Sequence, residues 1–232
     1  MPLVIRGLLN VAVQLVVLYA ALIGPVRLVS GSWMWARGVE LILTYGALVS
    51  AATVMLAWLA PKSLEARLTP PFSAAQPTED FWATVVILIA LLASVVFVPM
   101  DVFVWQLLPP PAPWVASIGG WIAFAGFALI VWVIFVNQFA ILNVEDQSGV
   151  GQRVVVSGPY ALVRHPMYLS ALIMQAGAGL WLGSPASLVM LVPVFLALSV
   201  RVIVEERMLL DTLPGYESYC QIRRYRILPL IW

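Results

Sequence analysis

Between Trp114 and Leu142 the chain runs without a single charged residue. So long an apolar segment leaves few folds open. A helix needs about 20 apolar residues to cross the hydrocarbon core of a bilayer. Inside lipid, only a helix or a closed barrel satisfies every backbone polar group. The pattern recurs along the chain: Leu8 to Val26, Val39 to Ala60 and Phe81 to Val104 each read as a spanning helix, with Gly24-Pro25 and Pro61 ending the first two and Pro99 near the end of the third. Met167 to Leu182 and Ser187 to Val204 are shorter, and the polar turn Gly183-Ser184-Pro185 joins them into a helical hairpin. Pro193 is expected to kink its second arm. The expected fold class is all-α: a polytopic transmembrane helical protein with about six membrane segments, including a C-terminal helical hairpin.

Composition narrows this further. The chain is 62% hydrophobic and 10% charged, against about 45–50% and about 25% in soluble domains. One cysteine, Cys220, and one histidine, His165, exclude an internal disulfide and a multi-cysteine or multi-histidine metal site. With net charge +1 and no basic run outside the C-terminal tail, nothing points to nucleic acid. The N-terminal apolar run is long enough to span and has no small-residue cleavage site, so it reads as an anchor and not as a signal peptide.

The connections are polar and proline-rich. Residues 62–80 form a loop with a short surface helix at Ser63–Leu68, and residues 107–113 hold four prolines and read as interfacial between Trp105 and Trp114. Orientation follows from arginine and lysine. With the N-terminus inside and six spans, Arg6, Lys62, Arg67, Arg153, Arg164, Arg207, Arg223, Arg224 and Arg226 fall inside, and Arg27 and Arg37 outside. Both termini are therefore expected to be cytoplasmic. The basic residues are eleven arginines and one lysine, a bias shared with GC-rich bacterial genomes; in a bacterium the membrane would be the inner one.

The residues suited to chemistry gather at the boundaries of the apolar segments. Ser157 to Ser170 is polar and broken by prolines, and holds His165 between Arg164 and Pro166. Such a segment at a membrane boundary must satisfy its backbone from protein, water or ligand. Arg201, Glu205, Glu206 and Arg207 lie at the end of the last apolar segment, and charges there are functional candidates. Arg201 and Glu205 are four apart, share a helix face and are able to pair; Glu206 points about 100° away. Taken singly, each has a plainer reading: charges marking the membrane exit, a histidine starting a helix, and Tyr160 and Tyr168 as interfacial aromatics. Asp101 reads as interfacial, and Cys220 is assigned no role.

Taken in order, Gly158-Pro159-Tyr160, Arg164-His165-Pro166-Met167-Tyr168, Arg201 with Glu205-Glu206, and Pro214-Gly215-Tyr216-x-x-Tyr219 resemble the isoprenylcysteine carboxyl methyltransferase family and its phospholipid methyltransferase relatives. The resemblance covers roughly Trp121 to Trp232, so the chain divides into N-terminal spans (1–113), which carry no matching motif and would form the acceptor's access route, and a methyltransferase core (114–232). It implies an S-adenosyl-L-methionine site on the last helices and the tail. Backbone at Gln152, Arg153, Val154 and Val155 would hold the cofactor, with Tyr160, Arg164, His165, Pro166, Met167 and Tyr168 closing around it. A glutamate of the pair would contact it too, Glu206 being favoured by spacing and Glu205 next. Arg201 would hold the acceptor. A glutamine found upstream in the family has only Glu145 or Gln147 as counterparts here.

The chemistry suits that assignment. A glutamate takes the cofactor's ammonium, Arg164 or His165 its carboxylate, and tyrosine rings the adenine face and sulfonium. Methyl transfer by in-line displacement asks the protein mainly to position the partners and exclude water. A carboxylate or thiolate acceptor needs no base, whereas a protonated amine does, with Glu205 the candidate. Partners are then the bilayer and a lipophilic small-molecule or lipidated acceptor. Two other readings compete. A sterol-reductase-like NADPH-dependent oxidoreductase shares the Arg-His-Pro-x-Tyr element, though Leu169-Ser170 and the paired glutamates depart from its pattern. A non-enzymatic lipid-binding protein predicts that His165 and Glu206 are dispensable.

Overall fold

The bilayer-length segments all become helices. A computed structural model describes residues 1–68, 78–137 and 154–232, which hold eight α-helices and no strand. These are α1 (Leu3–Ser30), α2 (Ala36–Leu59), α3 (Pro61–Arg67), α4 (Thr78–Met100), α5 (Pro113–Val136), α6 (Pro166–Leu182), α7 (Leu191–Thr212) and α8 (Tyr216–Ile222). Five stretches are long and apolar enough to cross a membrane: α1, α2, α4 with the π-helical turn Asp101–Trp105, α5, and α7 with the 3-10 run Pro185–Met190 that leads into it. The sixth segment, α6, has 17 residues, about 25 Å at 1.5 Å per residue, and is short of a full span as its sequence suggested.

Two proline expectations are corrected. α1 does not stop at Gly24-Pro25 but runs to Ser30, where Gly31 at φ 73° closes it with its N–H on the Arg27 carbonyl. Proline removes one helical bond, but among apolar neighbours ending the helix would expose more polar backbone than continuing it. Pro193 sits in the first turn of α7, just after the 3-10 run gives way to α-helix. Its missing N–H falls near the helix start, so it marks a junction and not a mid-span kink.

Apolar clusters define the two ends of the bundle. At one end Leu3, Leu56, Ala60 and Leu64 meet Ile134 and Phe135, and Val133 meets Leu209, Leu213 and Tyr216. The start of α1, the ends of α2, α5 and α7, and the C-terminal tail therefore lie together. At the other end Leu22, Ile23 and Val26 pack with Trp35, Val98 and Leu182. Although α6 and α7 are joined by a tight turn, α6 packs most extensively on α5 and α7 on α4. The α5–α6 contact is backbone-close: a Cβ on Gly177 would lie 2.2 Å from the Ala123 nitrogen. Small residues permit such approach in membranes.

Asp101, near the end of its span, is buried within the protein, at 2% exposure. Its carboxylate accepts from Ser184 Oγ at 2.6 Å and from the Leu107 N–H at 3.0 Å. It thus ties the end of α4 to the turn between α6 and α7. Replacing it with alanine strands two donors, and Asp101→Ala is expected to cost about 2 kcal/mol, read as a lowered thermal midpoint of the detergent-purified protein.

Candidate active site

The site is built where the tail folds back on the segment before α6. Gly158 takes φ 60°, a left-handed conformation that favours glycine, and turns the chain into the 3-10 segment Gly158–Ala161. Tyr160 is thereby buried; its hydroxyl accepts from Asn137 Nδ2 at 2.9 Å and its carbonyl from the Tyr219 hydroxyl at 2.8 Å. The backbone N–H groups of Arg164 and His165 donate to the carbonyls of Tyr225 and Arg226 at 2.9 and 2.8 Å. His165 sits at the N-cap of α6 with Pro166 in the first turn, and its ring makes no capping bond. The ring turns instead to the carboxylates of α7.

Glu206 is the hub. Arg164 grips it with both ends of the guanidinium, Nε to Oε1 at 2.7 Å and Nη2 to Oε2 at 3.1 Å. His165 Nε2 lies 3.1 Å from Oε1, and Arg226 Nε donates to Oε2 at 2.9 Å. Four contacts use the full accepting capacity of a carboxylate. Arg164 also donates to the Arg223 and Arg224 carbonyls at 2.7 and 3.2 Å, locking the tail down. Burial works against the charge on Arg164, but the Glu206 bonds and charge outweigh it and hold its pKa above the ordinary arginine value.

Glu205, one residue earlier, is different. Its Oε2 accepts from the Tyr168 hydroxyl at 2.8 Å and lies 3.7 Å from His165 Nδ1; 26% of its side chain is exposed. The rings of His165 and Tyr168 stack, 5.6 Å apart and 10° from parallel. Arg201 was expected to be able to pair with Glu205. The two meet through Tyr168, whose hydroxyl accepts from Arg201 Nε at 3.1 Å. Among the described residues, the ion pair of Arg201 is with Asp80 of α4, at 3.2 Å, and Thr84 accepts from its Nη1 at 2.5 Å.

The sequence-predicted residues therefore converge in large part. Arg164, His165, Tyr168, Arg201, Glu205 and Glu206 form one connected network, with Tyr160 beside it. Val154, Val155 and Met167 pack against the apolar wall made by Tyr160, Leu213, Tyr216 and Tyr219, and Pro166 is buried at the start of α6. Gln152 and Arg153 lie outside the described residues, as do Glu145 and Gln147. Sequence reasoning did not assign Asp80, Thr84, Asn137 or Arg226 to the site, nor a role to Tyr216 and Tyr219. Burial pushes the Tyr160 phenol up to about 12 and raises those of Tyr216 and Tyr219 further, the Glu206 and Glu205 charges adding to the effect at Tyr216. All three are neutral hydrogen-bond donors near neutral pH. Burial also raises the Cys220 thiol, which stays protonated there. Among the described residues, no group of three or more His, Cys, Asp or Glu could hold a metal ion.

Fold and site define a polytopic helical membrane protein with a buried, charge-paired cluster at one end of its bundle. Residues 118–213 match the family model of phospholipid methyltransferases, and that family belongs to the isoprenylcysteine-methyltransferase-like group of membrane enzymes. The match runs from within α5 to just past α7 and includes Tyr160, Arg164, His165, Tyr168, Arg201, Glu205 and Glu206. With the apolar helices it supports a membrane methyltransferase. No curated protein matches the chain.

Proposed function

We propose that the protein transfers a methyl group from S-adenosylmethionine to a lipophilic acceptor, the carboxylate, amine or thiol of a lipid-like or isoprenoid molecule. The observation that carries this is the paired-glutamate cluster around His165, inside the methyltransferase-matched segment and at the end of the bundle that holds both termini. S-adenosylmethionine, when bound, supplies a methyl group already activated by its sulfonium.

The residues present suit such a ligand. Its cationic groups need a carboxylate with capacity to spare. Glu206 is saturated by Arg164, His165 and Arg226, whereas Glu205, among the described residues, has one hydrogen bond and a partly exposed side chain. Glu205 is thus the better cation contact, and Glu206 the strut that fixes Arg164 and His165. Among the described residues the buried Tyr216 hydroxyl meets only the neighbouring Cys220 thiol, a weak partner, and is a neutral donor suited to a carboxylate. Arg201 fixes the Tyr168 hydroxyl and would act on the acceptor through it; an amine acceptor would lose its proton to Glu205. Backbone at residues 152–155 would complete the cofactor's seat.

Arginine placement supports a cytoplasmic site. Arg6, Lys62, Arg67, Arg164, Arg207 and Arg226 belong to the end holding the termini, and Arg27 and Arg37 to the other. By the positive-inside rule the first end faces the cytoplasm, where soluble cofactor is found. The N-terminal spans would then form the acceptor's access route from the bilayer.

Calorimetric titration of the detergent-purified protein with S-adenosylhomocysteine, and with NADPH in parallel, tests the reading. Binding of the first alone is expected, weakened about tenfold or more in His165→Ala. Arg201→Ala is expected to lower acceptor turnover more than cofactor affinity. Binding of NADPH alone would move the protein to the reductases.

A further inference from the structure

We infer that Asp80, on a helix outside the methyltransferase-matched segment, is a positioning residue that holds Arg201 away from Glu205 and so keeps that carboxylate open to a cation. The inference rests on the reading of the cluster as an S-adenosylmethionine site.

Arg201 and Glu205 are one helical turn apart on α7, the spacing at which arginine and glutamate pair by default. At a buried position, where attraction is stronger than in water, such a pair would neutralise Glu205. The side chain of Arg201, 4% exposed, is instead drawn across to α4, where Asp80 at 0% exposure faces it. Thr84 completes the clamp: its hydroxyl donates to the Asp80 carbonyl at 2.8 Å, which leaves its lone pairs toward Arg201 Nη1. On its other side Arg201 donates to the Tyr168 hydroxyl, which must then give its own proton to Glu205.

The charges sort accordingly. Glu206 faces Arg164 and Arg226, and Asp80 faces Arg201. Glu205 is left as the carboxylate of the network that touches a neutral phenol and an imidazole. The Arg201 charge reaches Glu205 through the Tyr168 hydroxyl and not by direct contact, and the sulfonium is the ligand charge that the open side of this carboxylate suits. Without Asp80, the nearest carboxylate on Arg201's own helix is Glu205. The N-terminal half of the chain, which the family match does not reach, thus sets the charge of the site.

The test compares S-adenosylmethionine with S-adenosylhomocysteine, which differ by the sulfonium charge and its methyl. Both are titrated calorimetrically into the full-length protein in detergent. Asp80→Asn is expected to weaken S-adenosylmethionine about tenfold and S-adenosylhomocysteine less than about threefold. Adding Arg201→Gln to Asp80→Asn is expected to restore the preference, because the competing cation is gone. Thr84→Val, which loosens the clamp while leaving Asp80 in place, is expected to give a smaller shift of the same sign and serves if Asp80→Asn does not fold. Equal weakening of both ligands in Asp80→Asn, no recovery in the double variant, or no shift in Thr84→Val would overturn the inference and leave the cofactor reading standing. Wild-type protein that binds neither ligand would overturn both.

Discussion

Glu206→Ala should abolish measurable S-adenosylhomocysteine binding and destabilise the protein by about 3–5 kcal/mol, the usual cost of removing one partner from a buried ion pair. Two features place it in that range. The Arg164 and Glu206 side chains are only 6% and 7% exposed, so water cannot replace the lost carboxylate. Glu206 also joins three separate pieces of chain: α7, the segment leading into α6, and the tail through Arg226. Arg226, at 35% exposure, keeps partial hydration and adds little to the loss. The backbone bonds from Arg164 and His165 to the tail remain, so the main consequence is a buried guanidinium without a counter-charge and not a detached tail. Glu206→Gln keeps the volume and one acceptor oxygen but presents an NH2 to donors, and should fall between wild type and alanine. The checks are the thermal midpoint in detergent and a ligand titration. A loss under about 1 kcal/mol would mean that solvent reaches the cluster and that these pairs behave like surface ones.

How far the sequence could be read follows from where each constraint lies. Span lengths are imposed by the bilayer, so the helices were legible from apolar runs, including the shortness of α6. Ser187–Val204, expected to be short too, is part of a 28-residue stretch, Pro185–Thr212, because the helix continues through Glu205 and Glu206, where the apolar run stops. Their neighbours were not, because a lipid-facing and a protein-facing residue are equally apolar: the buried tie from Asp101 to Ser184 shows nothing in local pattern. The cluster was legible because Arg164-His165 and Glu205-Glu206 sit at the same ends of two apolar segments joined by a tight turn, which returns them to one level. The 100° offset between consecutive helical residues also anticipated that the two glutamates face different surroundings. Which carboxylate is saturated was not readable, since that depends on Arg226 from the tail. Nor was the fate of Arg201: the i,i+4 rule offered Glu205, and the competing partner, Asp80, comes from a different helix far back in the chain. Its one sequence signal was an acidic residue at the start of an apolar run, which reads equally well as a helix-dipole preference.

Gly177→Leu is expected to cost about 3 kcal/mol or more, beyond the common range for overpacking, and to weaken cofactor binding although the residue lies far from the charged cluster. An added Cβ would meet the Ala123 nitrogen at 2.2 Å, the Gly119 oxygen at 2.5 Å and the Ala123 Cα at 2.8 Å. All three are backbone atoms of α5, so no side chain can rotate away, and relief requires the helices to separate. In a membrane that separation is opposed by the packing itself and not by exclusion of water, which is why a clash in a small-residue seam opens the seam. The opening reaches the site through both helices. α6 starts at Pro166, directly after His165, and α5 ends at Val136, directly before Asn137, whose amide holds the Tyr160 hydroxyl. Gly120→Ala is the matched control: its Cβ would find Trp181 at 3.5 Å, an ordinary contact, and it should leave the thermal midpoint and S-adenosylhomocysteine affinity close to wild type. Equal behaviour of the two variants would show that α5 and α6 do not meet through Gly177, and the route by which α5 positions Tyr160 and α6 positions His165 would have to be sought on another face.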